Sequence, residues 1–329
     1  MRNRNWCTLF GANLFVLILL GSLFVLASAA VLIAVASGHL TVEGLGSLDG
    51  FSFLLLTSVL EILYMGVPLL LFIFLGCPDR DLLKLSKPRI SEMALSIGMA
   101  FGVFGVIVFL EILTAMLFQS QGSALSGIDL SIESGTQLWL WIPAIAVIPA
   151  FLEEFVFRGI VMGIYERHMR PLWAIILSGT AFGLLHMQFS LFYLYIGIGV
   201  ILGWVVYRSR SVWVGVVFHF VYNSLAVLLS YFQTRHPFLF DYRLGLSTLM
   251  EGRMHTAFGA WGVIAAMSAV IFTLCLLAFN RRTRGRAAPQ ADYPRHPFVD
   301  WVPLAITLSG LGLLGVLSLL AVFLLPGLV

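Results

Sequence analysis

WLWIPAIAVIPAFLEEFVFRGIVMGIY, residues Trp139–Tyr165, is apolar enough to cross a bilayer, yet it carries two adjacent carboxylates, Glu153 and Glu154, with Arg158 one helical turn beyond. A charged side chain at the centre of a membrane helix costs about 2.5–3.5 kcal/mol on insertion scales and marks a functional site by default. Two neighbouring acids double that cost. Glu154 and Arg158 stand at i,i+4 and share a helix face, so they can pair. Glu153 is turned about 100° away, toward a different neighbour. Arg158 would then neutralise and orient Glu154, leaving Glu153 free as a base. An ion pair that only locks packing explains one glutamate but not both. Pro143 and Pro149 interrupt the segment just ahead of the acids. Proline removes a backbone donor and kinks a helix, which a membrane tolerates where protein or a water-filled cavity receives the freed carbonyls. The pattern points to a hydrated cavity around Glu153.

The whole chain of 329 residues fits this environment: 60% of it is hydrophobic and 11% charged, against about 25% charged in soluble domains. A spanning helix needs about 20 mainly apolar residues. Nine segments qualify: 10–36, 53–76, 92–118, 138–164, 172–187, 190–207, 212–231, 257–279 and 301–325. Runs of this length exclude a barrel of short alternating strands, so the expected fold is an all-α polytopic bundle. The first run is longer than the 7–15 residues of a signal-peptide core, and it reads as a retained helix. The organisation expected is three helices in 1–137, a catalytic core of four in 138–231, and two more in 232–329. Segment 172–187 is short for a span and is joined closely to the next. Gly98 with Gly102, and Gly199 with Gly203, have the spacing that lets helices pack closely.

Basic residues set the orientation. With the amino terminus cytoplasmic and the carboxyl terminus outside, 15 lysines and arginines fall on the cytoplasmic side. Only Arg235, Arg243 and Arg253 fall outside, and Arg158 is set aside. All eight tryptophans fall near predicted helix ends, where indoles prefer to sit. No basic cluster interleaves with aromatics, which argues against a nucleic-acid partner. Cys7, Cys77 and Cys275 lie in different segments and form neither a disulfide framework nor a metal knuckle.

Two more apolar segments carry polar residues with chemistry. FGLLH puts Phe182 and His186 one turn apart, and HFVYN does the same for His219 and Asn223. Each alone could be interhelical hydrogen bonding. Together, a carboxylate, two imidazoles and a carboxamide can activate a water and stabilise an oxyanion. GxSxG, HExxH and GxGD patterns are absent, so a hydrolase here would use water and no covalent nucleophile. Glu61, with Tyr64 nearby, and Glu111 lie in the second and third segments, where each could face the cavity or bond a neighbouring helix. His39, His168, His236, His255 and His296 fall in predicted loops or near helix ends, where solvated or interfacial roles are expected.

The ordered set EExxxR, FxxxH and HxxxN, here Glu153-Glu154-Arg158, Phe182-His186 and His219-Asn223, resembles the CAAX protease and bacteriocin-processing family. The resemblance covers residues 138–231 and implies an intramembrane glutamic endopeptidase. By it, Glu153 and His186 would activate the attacking water, and His219 with Asn223 would hold the oxyanion. Glu154 and Arg158, with Phe182 beside them, would organise the site or contact substrate. The implied partners are the bilayer and a hydrophobic or lipidated peptide or membrane-protein substrate, and no cofactor is implied. Two other readings stay open. Two His and a Glu can hold Zn²⁺ with an open position for water, although Asn223 is a poor zinc ligand. A non-catalytic scaffold or immunity protein is the other, and a transporter is a weaker variant because no inverted repeat supports it.

Overall fold

In lipid, every backbone polar group must be satisfied within its own segment, and helices do this. The computed structural model describes residues 7–36, 50–76, 80–117, 132, 134–188, 191–235, 253–286 and 296–310. These are almost entirely helical, and among them only an isolated bridge, Leu85 with Ser211, has strand-like pairing. In chain order, α1 is Leu9–Ala36 and α2 runs through Gly50–Glu61, a π turn Ile62–Gly66 and Val67–Gly76. Next come α3, Ile90–Leu117, and α4, which runs from Gly135 to His168 through two π turns, Ile142–Val147 and Glu154–Val161. They are followed by α5, Pro171–Leu185; α6, Phe192–Ser209; α7, Val212–Arg235; and α8, Arg253–Arg282. Last is α9, Phe298–Gly310.

The described part of each of the nine apolar segments falls largely on a helix, and among the described residues seven helices, not nine, are long and apolar enough to cross a membrane. At 15 residues, α5 reaches about 22 Å, less than the hydrocarbon core of about 30 Å. Beyond Gly310, the segment 301–325 lies outside the described residues. The molecule is a multi-pass integral membrane protein.

Small residues set which helices touch. A Cβ on Gly179 of α5 would meet the backbone nitrogen of Val200 at 2.7 Å, and one on Gly199 of α6 would meet the Gly179 oxygen at 2.6 Å. Gly98 and Gly102 of α3 press in the same way against Cys275 and Phe272 of α8. The outer face of α8, with Val263, Met267, Val270 and Leu274, is left exposed, as a lipid-facing side requires.

At the centre stands α4, buried continuously from Val156 to Tyr165. The turn before α3 tucks beneath it: a Cβ on Gly163 would lie 2.4 Å from the Leu82 carbonyl oxygen. Lys84, in the left-handed region at φ 52°, is fully buried there. Its Nζ donates to the Arg158 carbonyl at 3.1 Å and pairs with Glu166 at 3.2 Å, while Glu166 also holds Arg210 at 2.7 Å. Burial pushes the Lys84 ammonium below its ordinary pKa, against the opposing pull of Glu166.

Two of the histidines expected at solvated or interfacial positions near helix ends meet each other there. His168, at the end of α4, and His296, at the entry to α9, pack edge to face with centroids 4.9 Å apart, and His296 Nδ1 lies 3.2 Å from Asp300 Oδ2. The same region docks α1 and α9 on α4. The Tyr165 hydroxyl donates to Asn13 Oδ1 at 2.6 Å, and Asn13 Nδ2 donates to the Asp300 carbonyl at 2.7 Å.

Candidate active site

The prolines and the π turns of α4 shape the site. Pro149 has no N–H to give the carbonyl one turn back, and Asn223 Nδ2 from α7 donates to that Ile145 carbonyl at 2.9 Å. A π turn widens the helix and leaves carbonyls without their α-helical partners, and such turns recur at functional sites. In Glu154–Val161 two carbonyls accept from side chains as well, that of Phe157 beside the Met162 N–H. Ser178 Oγ of α5 donates to the Phe157 oxygen at 2.8 Å, and Lys84 takes that of Arg158.

The acids converge on one imidazole. Glu154 Oε1 lies 2.9 Å from Arg158 Nη1 and 3.1 Å from His219 Nδ1. Glu153 Oε2 approaches the other ring nitrogen, Nε2, at 3.6 Å, outside hydrogen-bond range. Glu153, Glu154, Arg158 and His219 are all buried. Arg158 Nη2 donates to the Gly199 carbonyl at 3.0 Å, and its guanidinium lies 4.4 Å from the centroid of the Phe182 ring. That ring also packs against both imidazoles, with centroids 4.9 Å from His186 and 5.8 Å from His219. His186 is half-buried, just past the end of α5. Its Nδ1–H donates to the Phe182 carbonyl at 3.0 Å and its ring stacks on Tyr195 at 4.2 Å, which leaves Nε2 as an acceptor. A carboxylate, an imidazole with a free lone pair, and a second imidazole oriented by its own carboxylate can together accept a proton from water.

Residues 135–225 match the family model described as Type II CAAX prenyl endopeptidase Rce1-like. By this match the core is similar to that family. The match holds all three motifs, and α1–α3, α8 and α9 lie outside it. No curated protein and no solved structure matches the chain.

Within the matched core the geometry adds two contacts to those expected from the sequence. Beside the Glu154–Arg158 pair, both glutamates reach toward His219 from opposite sides of the ring. Asn223, expected as an oxyanion donor, already gives one amide proton to Ile145. Among the described residues no three His, Cys, Asp or Glu groups are gathered closely enough to hold a metal ion.

Three residues at the site escaped sequence reasoning. Gly215 of α7 lies against Glu154, where a Cβ would meet Oε2 at 2.7 Å. Its position four residues before His219, on the same helix face, was the available signal. Ser178 and Lys84 close the π turn, and neither carries a motif that points there. Of the two further acids, Glu61 of α2 is buried and its charge acts on Glu153. Glu111 is half-buried on α3, the helix that packs against α8.

Proposed function

We propose that this protein is an intramembrane glutamate-dependent endopeptidase that cuts hydrophobic or lipidated peptides, or segments of membrane proteins. The observation that carries the reading is the convergence of Glu153, Glu154 and His219, with Phe182 holding His186 alongside. In this reading, Glu153 and His186 Nε2 take the proton of an attacking water. Glu154, held by Arg158, fixes the His219 ring through Nδ1 and so presents Nε2 toward Glu153 and the reacting carbonyl. His219 and the second amide proton of Asn223 stabilise the oxyanion, a task in which one lost donor costs about 10²–10³ in rate. The family's description as prenyl endopeptidases supports lipidated CAAX peptides as the first substrates to try. The excess of basic residues supports a cytoplasmic amino terminus, with substrates entering from the bilayer.

The test is mass spectrometry of membrane peptides from cells carrying wild-type protein or Glu153→Gln. Uncut precursors accumulate in the variant, and His186→Ala and His219→Ala reproduce the loss while still inserting and folding. Full turnover by purified Glu153→Gln would overturn the base assignment.

A further inference from the structure

Glu61 is buried on α2, with an exposure of 9%, and its Oε1 has no hydrogen-bond partner among the described residues. A carboxylate so placed is expensive in hydrocarbon and calls for a partner. The π turn Ile62–Gly66 begins immediately after this residue. That turn packs on α4 beside the acids: a Cβ on Gly66 would lie 3.8 Å from Leu152 Cδ2, one residue before Glu153. Tyr64, within the turn, is in electrostatic reach of both Glu61 and Glu153. Glu153 presents the matching feature, because its Oε2 also lacks a hydrogen-bond partner. Two buried carboxyl groups with unpartnered oxygens thus lie within electrostatic reach of each other, across the contact of Gly66 with Leu152. Around them stand Tyr64 on α2, Glu154 and Arg158 on α4, and His219 on α7.

We propose that Glu61 is a positioning residue of this site, sharing one proton with Glu153, directly or through one water. The inference rests on Glu153 being the base. Like charges in one water-poor pocket repel, and a proton between them removes the repulsion. An O–H donated to a carboxylate is also among the strong hydrogen bonds, and it fixes the rotamer of the acceptor. In the resting enzyme the pair holds one proton. When water attacks, its oxygen bonds to the carbonyl carbon and its proton passes to Glu153, so the pair holds two. As the C–N bond breaks, one proton leaves with the amine nitrogen and the pair returns to its starting state. Glu61 acts throughout by way of Glu153.

The experiment compares purified wild-type protein, Glu61→Gln, Glu61→Asp and Glu153→Gln in detergent. Infrared spectra in H₂O and D₂O are recorded, together with cleavage of a quenched-fluorescence prenylated CAAX peptide. The wild type shows an exchangeable protonated-carboxyl stretch that is lost in Glu61→Gln and perturbed in Glu153→Gln. Glu61→Gln lowers kcat about tenfold or more with KM unchanged, and Glu61→Asp recovers part of it. Unchanged thermal unfolding of Glu61→Gln separates this from misfolding. A stretch that persists in Glu61→Gln, or a kcat within about twofold of wild type, overturns the proposal. An inactive Glu153→Gln beside a fully active Glu61→Gln sinks only the role of Glu61, whereas an active Glu153→Gln sinks the base assignment beneath it. The infrared arm decides the shared proton even if the probe is not cut.

Discussion

The pair Glu154–Arg158 allows stability and catalysis to be separated. Both side chains are wholly buried, 2.9 Å apart. Removing one partner of a buried pair leaves an uncompensated charge and costs about 3–5 kcal/mol, so Arg158→Gln is strongly destabilising. Glu154→Gln falls at the lower end of that range, because Arg158 keeps the Gly199 carbonyl and the Phe182 face. In the double variant no charge is stranded. What is lost is the cation–π contact, about 2 kcal/mol when desolvated, while a glutamine at 158 can still donate to a backbone oxygen. The double variant is therefore more stable than Arg158→Gln alone, with a coupling of about 4–6 kcal/mol in the cycle. Equilibrium unfolding in mixed micelles measures it. Cleavage does not return with stability, since His219 has lost the carboxylate that orients it. Additive destabilisation would refute the ion-pair account, and restored cleavage in the double variant would refute the orienting role of Glu154.

Gly215→Ala drives a methyl against Glu154 Oε2 and Val206, and displacing a positioned group by about 1 Å costs on the order of 10² in rate; initial-rate assays on folded protein check it. Ser178→Ala removes one of two donors to the Phe157 carbonyl, which keeps the Met162 N–H, and destabilises by about 0.5–1.5 kcal/mol, readable from unfolding midpoints. Lys84 binds its proton less tightly when folded than when unfolded, so the unfolded state takes up more protons in the window just below the ordinary lysine value of 10.5. Stability attributable to this group therefore rises with pH through that window. Unfolding of Lys84→Met measured against wild type between neutral and alkaline pH shows that increment missing from the variant.

The placement of the membrane helices was legible because long apolar runs have one solution in lipid, and even the shortness of α5 could be read from its sequence. The Glu154–Arg158 pair was legible too, since i,i+4 neighbours meet on a helix whatever surrounds it. The turn of about 100° per residue set Glu153 apart from the Glu154–Arg158 pair, but it said nothing of His219, which arrives from α7 and presents a nitrogen to each carboxylate. No periodicity within α4 encodes where a ring on another helix will sit. Asn223 shows the same limit in a milder form. Pro149 announces a stranded carbonyl, and Asn223 announces a spare donor, but their meeting at 2.9 Å depends on how α7 crosses α4.

The π turns explain why the remaining site residues stayed hidden. An α-helix satisfies its own carbonyls, so a motif search has no reason to look elsewhere for donors. In the widened turn Glu154–Val161 the Phe157 and Arg158 oxygens accept from side chains as well, and those donors come from α5 and from the turn before α3. Arg158 is thereby held at both ends: its backbone oxygen by Lys84, and its guanidinium by Glu154, Gly199 and Phe182. Two of those restraints, Glu154 and Phe182, are themselves in contact with His219. Lys84, far from the motifs in sequence, is thus joined to the imidazole through Arg158 and then Glu154 and Phe182, a run of contacts that ties the turn before α3 to the matched core.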